Sequence, residues 1–446
     1  MTKKSSLTLE RSAFPDDFIF GVATSAYQIE GQNFGKAGLC HWDTFATIPG
    51  RVSGGETGAL ACDHYHRYEE DLDLIAAAGF DSYRFSTSWA RIMPDGVGKI
   101  NEVGLDFYDR LVDGMLAREI KPAATLYHWE LPAPLAELGG WRNPEISKWF
   151  ADFSSVVIKR LGDRLYSVST INEPWCVTWL SHFLGVHAPG LKDIHCTAQA
   201  MHNVLLAHGR SISAMRGLGM QNLGIVCNFE YGVPVERNKE NIKATTLFDA
   251  IYNKFFLGGL FKKKYPVLVT EFIEPYLPKN WQDDFDIIGS SLDWFGVNYY
   301  TKANIRAAKS SWPSFEFVTG SLPRTDMGWE IFPEGLSRFL KLIHEDYTKV
   351  LPLYVTENGM ANKDKIINGS VNDENRIFYI DQHLHAAKTS IIDGVPLKGF
   401  YIWSLLDNFE WAMGYKKRFG LVHVDFETFD RLPKASYFSM QHFLKL

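Results

Sequence analysis

The chain has 446 residues, 46% of them hydrophobic and 22% charged, a balance that supplies a large core and excludes a disordered chain. Its formal charge of −6 leaves no basic surplus to meet a phosphate backbone, so nucleic acid is not an expected partner. No apolar run reaches the ~18 residues that a membrane helix needs, so no membrane partner is expected either.

The first 15 residues carry charge but no apolar segment behind it, and do not read as a secretory signal. Short β-branched or aromatic runs then recur as candidate strands. In chain order they are Phe18–Ala23, Ser82–Ser86, Ala123–Tyr127, Ser167–Ile171, Leu223–Asn228, Trp294–Asn298, Leu353–Thr356 and Gly399–Trp403. Amphipathic stretches separate several of them: Glu69–Ala78, Leu105–Glu119, Ile146–Leu161, Glu334–Leu342 and Arg376–Ile392. Strands alternating with helices imply parallel pairing through crossovers. Eight such units predict a (β/α)8 barrel, one catalytic domain over residues 1–446 with the surplus length in its loops. A doubly wound open sheet is the alternative. It draws no support from Gly31–Lys36, which is one residue short of a phosphate-binding loop and is followed by Ala37.

Five cysteines (Cys40, Cys62, Cys176, Cys196 and Cys227) are scattered, odd in number and form no C-x-x-C pair. With no secretory signal, they fit a reduced, cytoplasmic protein. His64-Tyr65-His66 is a possible ligand pair away from the other candidates, but no H-E-x-x-H or facial triad accompanies it, so no metal is expected. G-x-S-x-G is absent, which disfavours an esterase built on a nucleophile elbow.

In a barrel, chemistry gathers just past the C-terminal strand ends. Two of these ends carry glutamates, in Thr170-Ile171-Asn172-Glu173-Pro174 and Val355-Thr356-Glu357-Asn358-Gly359. Singly, Glu173 also fits a helix N-terminus and Glu357 a polar turn. Across one barrel mouth they make an acid and a nucleophile for acetal hydrolysis. Arg84 could pair with a carboxylate and hold it ionised, although a lone arginine there is more often structural. His128 and Trp129 end the third strand, Asn298 and Tyr300 the sixth, and Trp403 the eighth. Aromatic faces suit the C–H face of a pyranose, and amides and imidazoles read its hydroxyls. In a chain that is 14% aromatic most rings are core, so only their coincidence at strand ends is informative.

Taken in order, these segments resemble family 1 glycoside hydrolases, the β-glucosidases and their relatives. The resemblance is carried by Phe18–Gly31, Tyr83-Arg84-Phe85-Ser86, Leu126–Pro132, Thr170–Pro174, His187–Gly190, Asn298-Tyr299-Tyr300, Thr325–Glu330, Thr356–Gly359 and Trp403–Trp411. It implies a (β/α)8 fold, retention of anomeric configuration, no cofactor, and small-molecule β-glycosides as partners. Glu173 is then the general acid/base and Glu357 the nucleophile, with carboxyls about 5–5.5 Å apart. Arg84, Asn298 and Tyr300 would orient the nucleophile, and Asn172 would serve the sugar 2-hydroxyl. Gln28, His128, Trp129, Glu410 and Trp411 match the glycone pocket, and Trp403 its stacking floor.

Relatives acting on 6-phospho sugars resemble Ser–Lys–Tyr at the positions of Glu410, Lys417 and Phe419, of which this chain keeps only the lysine. A carboxylate at 410 would repel phosphate and accept from the 4- and 6-hydroxyls, so free sugars are expected and a 6-phospho-β-glycosidase is the alternative. Glu173, where plant thioglucosidases have glutamine, argues for O-glycosides. Both glutamates are kept, which argues against a silent sugar-binding relative. The expected activity is hydrolysis of cello-oligosaccharides and aryl glucosides, with galactoside, fucoside and transglycosylation side reactions. Most members resemble one another in a tryptophan two residues before the motif threonine; Val168 at that position implies a wider aglycone side. Cys176 either lines the same entrance or is a small buried hydrophobe.

Overall fold

A computed structural model describes residues 6–309 and 312–445; the start of the N-terminal segment read above for a signal lies outside them. Eight strands form the barrel: β1 Ile19–Ala23, β2 Ser82–Ser86, β3 Lys121–Tyr127, β4 Ser167–Asn172, β5 Leu223–Pro234, β6 Trp294–Ala307, β7 Leu353–Asn358 and β8 Leu397–Trp403. Each pairs in parallel with its neighbours in chain order, and β8 returns to β1 through Ile19↔Gly399 to Ala23↔Trp403. The sheet is thus closed, and all eight expected strands are present; six match their expected bounds within a few residues, while β5 and β6 run on well past Asn228 and Asn298. The open-sheet alternative is excluded by the β8–β1 pairing.

Expected helices also form, over His64–Ala78, Glu102–Leu116, Ile146–Leu161, Pro333–Ile343 and Glu374–Ile392. A long helix between β4 and β5, Ile194–Gly217, was not legible. Its buried side includes Thr197, His202, Asn203, His208 and Ser211, so the apolar periodicity that betrays a helix is broken by polar core residues. Several of these polar groups are paired: His208 Nδ1 meets Thr170 Oγ1 of β4 at 2.7 Å, and Asn203 donates to the Trp141 carbonyl.

Strand alternation decides what reaches the site. Along β4, Ser167 and Ser169 face the barrel interior near Arg84 and Thr356, while Thr170 faces outward to the His208 helix. Val168 shares that outward side and is completely buried in the apolar layer. The expectation that Val168 lines the aglycone side is therefore corrected: it lies within the strand, below the barrel mouth and on the wrong face.

The mouth is closely packed. Gly359 follows Glu357-Asn358 at the end of β7, and a Cβ there would lie 1.8 Å from the Trp403 carbonyl oxygen of β8. Gly359→Ala must push these strand ends apart. We expect a loss of at least about 1–3 kcal/mol, read as a lowered thermal midpoint, with activity falling further than stability alone explains.

Candidate active site

The two glutamates stand at the ends of β4 and β7, each nearly fully buried. Arg84 from β2 joins their surroundings: Nη1 donates to Glu357 Oε1 at 2.6 Å and Nη2 to Asn172 Oδ1 at 2.8 Å. Asn298 from β6 closes the network, donating to Asn172 Oδ1 at 3.1 Å and to Glu173 Oε1 at 2.6 Å. Thr356 Oγ1 donates to Asn298 Oδ1 at 2.7 Å and so fixes its amide orientation. The Tyr300 hydroxyl donates to Glu357 Oε2 at 2.7 Å. Four strands thus hold the carboxyls in one continuous hydrogen-bonded frame.

The two carboxyls differ in their surroundings. Burial, reinforced by the charge of Glu357, raises Glu173 to about 8, although Cys176, Asn298 and Arg84 pull the other way. Glu357 accepts from both the Arg84 guanidinium and the Tyr300 phenol. Burial and then the nearby Arg84 charge hold His128 well below the ordinary imidazole range, so it is neutral.

Above this frame opens a cleft of about 370 Å³, walled by His128, Trp129, Tyr300, Trp403, Glu410, Trp411 and Phe419 among others. His128 stacks with Trp403 at 5.5 Å between centroids, and Trp129 lies 5.0 Å from Trp411. Trp129, Glu173 and Trp411 all have φ between +46° and +72°. Left-handed backbone at three non-glycine residues is strain that the packed site must hold, and such strain concentrates at functional centres.

Glu410 Oε2 and His128 Nδ1 are buried in this cleft without a hydrogen-bond partner. Burial, then the charges of Glu357 and Glu173, pushes Glu410 up to about 8. Buried polar atoms left unpaired are costly, and a polyhydroxylated ligand would satisfy both. Gln28 is buried behind the Glu410 wall: its amide donates to Asn408 Oδ1 at 3.0 Å and the Phe409 carbonyl at 2.8 Å, and its side chain also approaches the Glu410 carboxyl. Arg84 and Asn172 are buried beside the two carboxyls.

Cys176 faces the cleft and donates its thiol to Glu173 Oε2 at 2.9 Å. Lys417 is committed elsewhere: Nζ donates to the Asp326 carbonyl at 2.6 Å and to its carboxylate at 3.0 Å. His64 begins a helix and pairs with buried Asp71, which also binds Arg431. Among the described residues no three His, Cys, Asp or Glu side chains are placed to hold a metal ion.

Residues that the sequence did not single out complete the cleft. Trp175 stacks on Tyr252 at 4.0 Å and lines the wall beside Glu173, together with Asn228, Glu230 and Trp329. Trp175 sits two residues after Glu173 and reaches the cleft wall, which Val168 does not. Its signal was adjacency to the strand-end glutamate.

A closed parallel barrel with two buried carboxyls under an aromatic-walled cleft defines an enzyme that cleaves glycosidic bonds. The model of glycosyl hydrolase family 1 matches residues 10–445, and the chain belongs to that family. A 1,4-beta-D-glucan glucohydrolase of Thermotoga neapolitana is 44% identical over 97% of this chain and 98% of its own. The solved structure of the family 1 b-glucosidase from Thermotoga maritima superposes with a TM-score of 0.94 at 44% identity, covering 97% of this chain and 98% of that one. A 6-phospho-beta-galactosidase of Clostridium acetobutylicum is 36% identical over 95% of both chains. Membership alone therefore leaves free and phosphorylated sugars to be separated by the site.

Proposed function

We propose that this enzyme is a retaining β-glucosidase acting on small, unphosphorylated β-glucosides. The observation that carries the reading is the Arg84–Asn172–Asn298 frame, which joins Glu173, whose proton burial helps retain, to Glu357, held by Arg84 and Tyr300. In the first step the Glu357 carboxylate attacks the anomeric carbon, the bond to the leaving oxygen breaks, and that oxygen takes the Glu173 proton. A glucosyl ester on Glu357 results. In the second step the Glu173 carboxylate takes a proton from water, whose oxygen attacks the anomeric carbon and releases Glu357. Glu357 loses its negative charge as the ester forms and regains it as the ester breaks, and its hydrogen bonds from Tyr300 and Arg84 weaken and recover with it. Asn172 is the donor proposed for the 2-hydroxyl, and Trp403 the stacking floor.

Free sugars are favoured over phosphorylated ones by two features. At the cleft wall Glu410 offers a phosphate no positive partner, and Lys417, the one motif residue retained, is neutralised by Asp326. Hydroxyl-accepting Glu410 also suits galactosides and fucosides, and sugar or alcohol acceptors can replace water in the second step. The matching experiment is nitrophenol release from the β-glucoside, β-galactoside, β-fucoside and 6-phospho-β-glucoside. Fast glucoside and fucoside cleavage with at least about 100-fold poorer kcat/KM on the phospho sugar is expected, equivalent to ~2.7 kcal/mol. Preference for the phospho sugar would instead establish the 6-phospho-β-glycosidase reading. Absence of nitrophenol release from every one of the four would count against the glycosidase role itself.

Cys176 supplies a check on the acid/base assignment. A donor to the charged form lowers a carboxyl pKa, so removing it raises that pKa. The glycosylation step needs protonated Glu173, and kcat/KM is therefore lost as pH rises through about 8. Cys176→Ala is expected to move this alkaline limb upward; an unmoved or downward limb would contradict the pairing.

A further inference from the structure

The strands β5 and β6 run on past the barrel rim, still paired from Tyr231↔Lys302 to Pro234↔Ile305, and β6 then turns back against Phe315–Phe317. This ribbon helps enclose a second chamber of about 310 Å³. It adjoins the catalytic cleft, and the two share Trp175, Glu230, Tyr252, Thr301 and Trp329 as a common wall. At the far end, Lys302 Nζ lies 3.2 Å from Glu330 Oε2, which also accepts from Asn304 at 2.7 Å. Those two charges cancel.

Glu230 is different. Its backbone is clamped on both sides by Asn253, whose Oδ1 accepts from the Glu230 N–H at 3.2 Å and whose Nδ2 donates to the Glu230 carbonyl at 3.0 Å. Its carboxyl faces the Tyr252 phenol, and among the described residues no Lys, Arg or His approaches within ion-pair distance. Tyr252 in turn accepts from Asn228 at 2.8 Å, and Asn228 reaches Cys176, the partner of Glu173. The wall is therefore continuous with the side from which Glu173 would protonate a leaving group. Asn228 Oδ1 and Trp175 Nε1 are buried there with no partner, which marks the passage as one for a polar, hydrogen-bonding group.

We propose that Glu230 is a specificity-determining residue, which passes leaving groups carrying hydroxyl or ammonium donors into the second chamber and discriminates against anionic ones. The proposal rests on the glucosidase reading and deepens it on the leaving-group side. A donor meeting this carboxylate makes a charge-assisted hydrogen bond in a partly dry wall, whereas a carboxylate meets like charge without a neutralising partner. Burial pushes Glu230 up to about 7, so an assay at about pH 8 keeps it largely ionised.

The test uses the full chain and three β-glucosides whose phenol leaving groups differ only in a para substituent: aminomethyl, hydroxymethyl or carboxylate. The kcat/KM of the native enzyme is expected to fall in that order, by about tenfold or more from the first to the last. Glu230→Gln, which keeps shape and removes charge, is expected to bring the three within about threefold of one another. Because the readout is a ratio within each protein, a general loss of activity in the variant does not mimic the effect. Equal kcat/KM values in the native enzyme, or a ratio unchanged in Glu230→Gln, would overturn the proposal. Nitrophenyl β-glucoside, measured alongside, reports on the glucosidase reading separately, since its turnover does not depend on the para charge.

Discussion

Replacing Glu357 with alanine is expected to lower turnover of nitrophenyl β-glucoside by at least about 10⁴-fold, the scale seen when a nucleophile is removed. The carboxylate has no substitute: the nearest groups, Arg84 and Tyr300, are donors aimed at it. Removing it also removes the charge that helps raise Glu173, so the Glu173 pKa falls and less of it carries the proton that the leaving group needs. The space left behind suits a small anion. Azide with dinitrophenyl β-glucoside is expected to restore turnover by attacking the anomeric carbon from the Glu357 side, expelling dinitrophenolate and giving the α-glucosyl azide. Rescue yielding the β-azide would place Glu357 on the leaving-group side and reverse the two roles.

Loss of Glu173 should depend on the leaving group in a way that loss of Glu357 does not. Dinitrophenolate departs without a proton, whereas methanol cannot. Glu173→Ala is expected to cost about 10²–10⁴-fold in the glycosylation step for the methyl glucoside, the usual worth of general acid catalysis, and little for the dinitrophenyl glucoside. With the good leaving group, the step that attacks water becomes limiting, so a burst of dinitrophenol should precede slow steady turnover. Equal losses on both substrates in the pre-steady state would contradict the assignment.

Much of this arrangement was legible in the sequence because barrel strands are short, β-branched and end in their functional residues. Glu173, Glu357, Asn298 and Tyr300 were found at strand ends and Arg84 within the second strand, and they form one hydrogen-bonded frame. What failed was depth and direction. Val168 was placed by the family resemblance, but strand alternation turns it outward and the mouth lies beyond it. Trp175, just past the glutamate, reaches the cleft wall instead. The lengths of β5 and β6 were underestimated because β5 beyond Phe229 is half-exposed and ends in Gly232 and Pro234, while β6 beyond Asn298 alternates buried Tyr299, Thr301, Ala303 and Ile305 with half-exposed residues that include Tyr300, so burial keeps the strand period but hydrophobicity does not spell it. That unread extension encloses the second chamber.

The account centres on a glucosyl ester at Glu357, and trapping that ester is its most direct measurement. A 2-deoxy-2-fluoro-β-glucoside with a dinitrophenyl leaving group slows both steps by destabilising the charged transition state, and the activated leaving group restores the first. Intact mass followed by peptide mapping should find one fluoroglucosyl group per chain, carried on the peptide containing Thr356-Glu357-Asn358. No adduct despite active turnover, or an adduct on Glu173, would contradict the mechanism proposed.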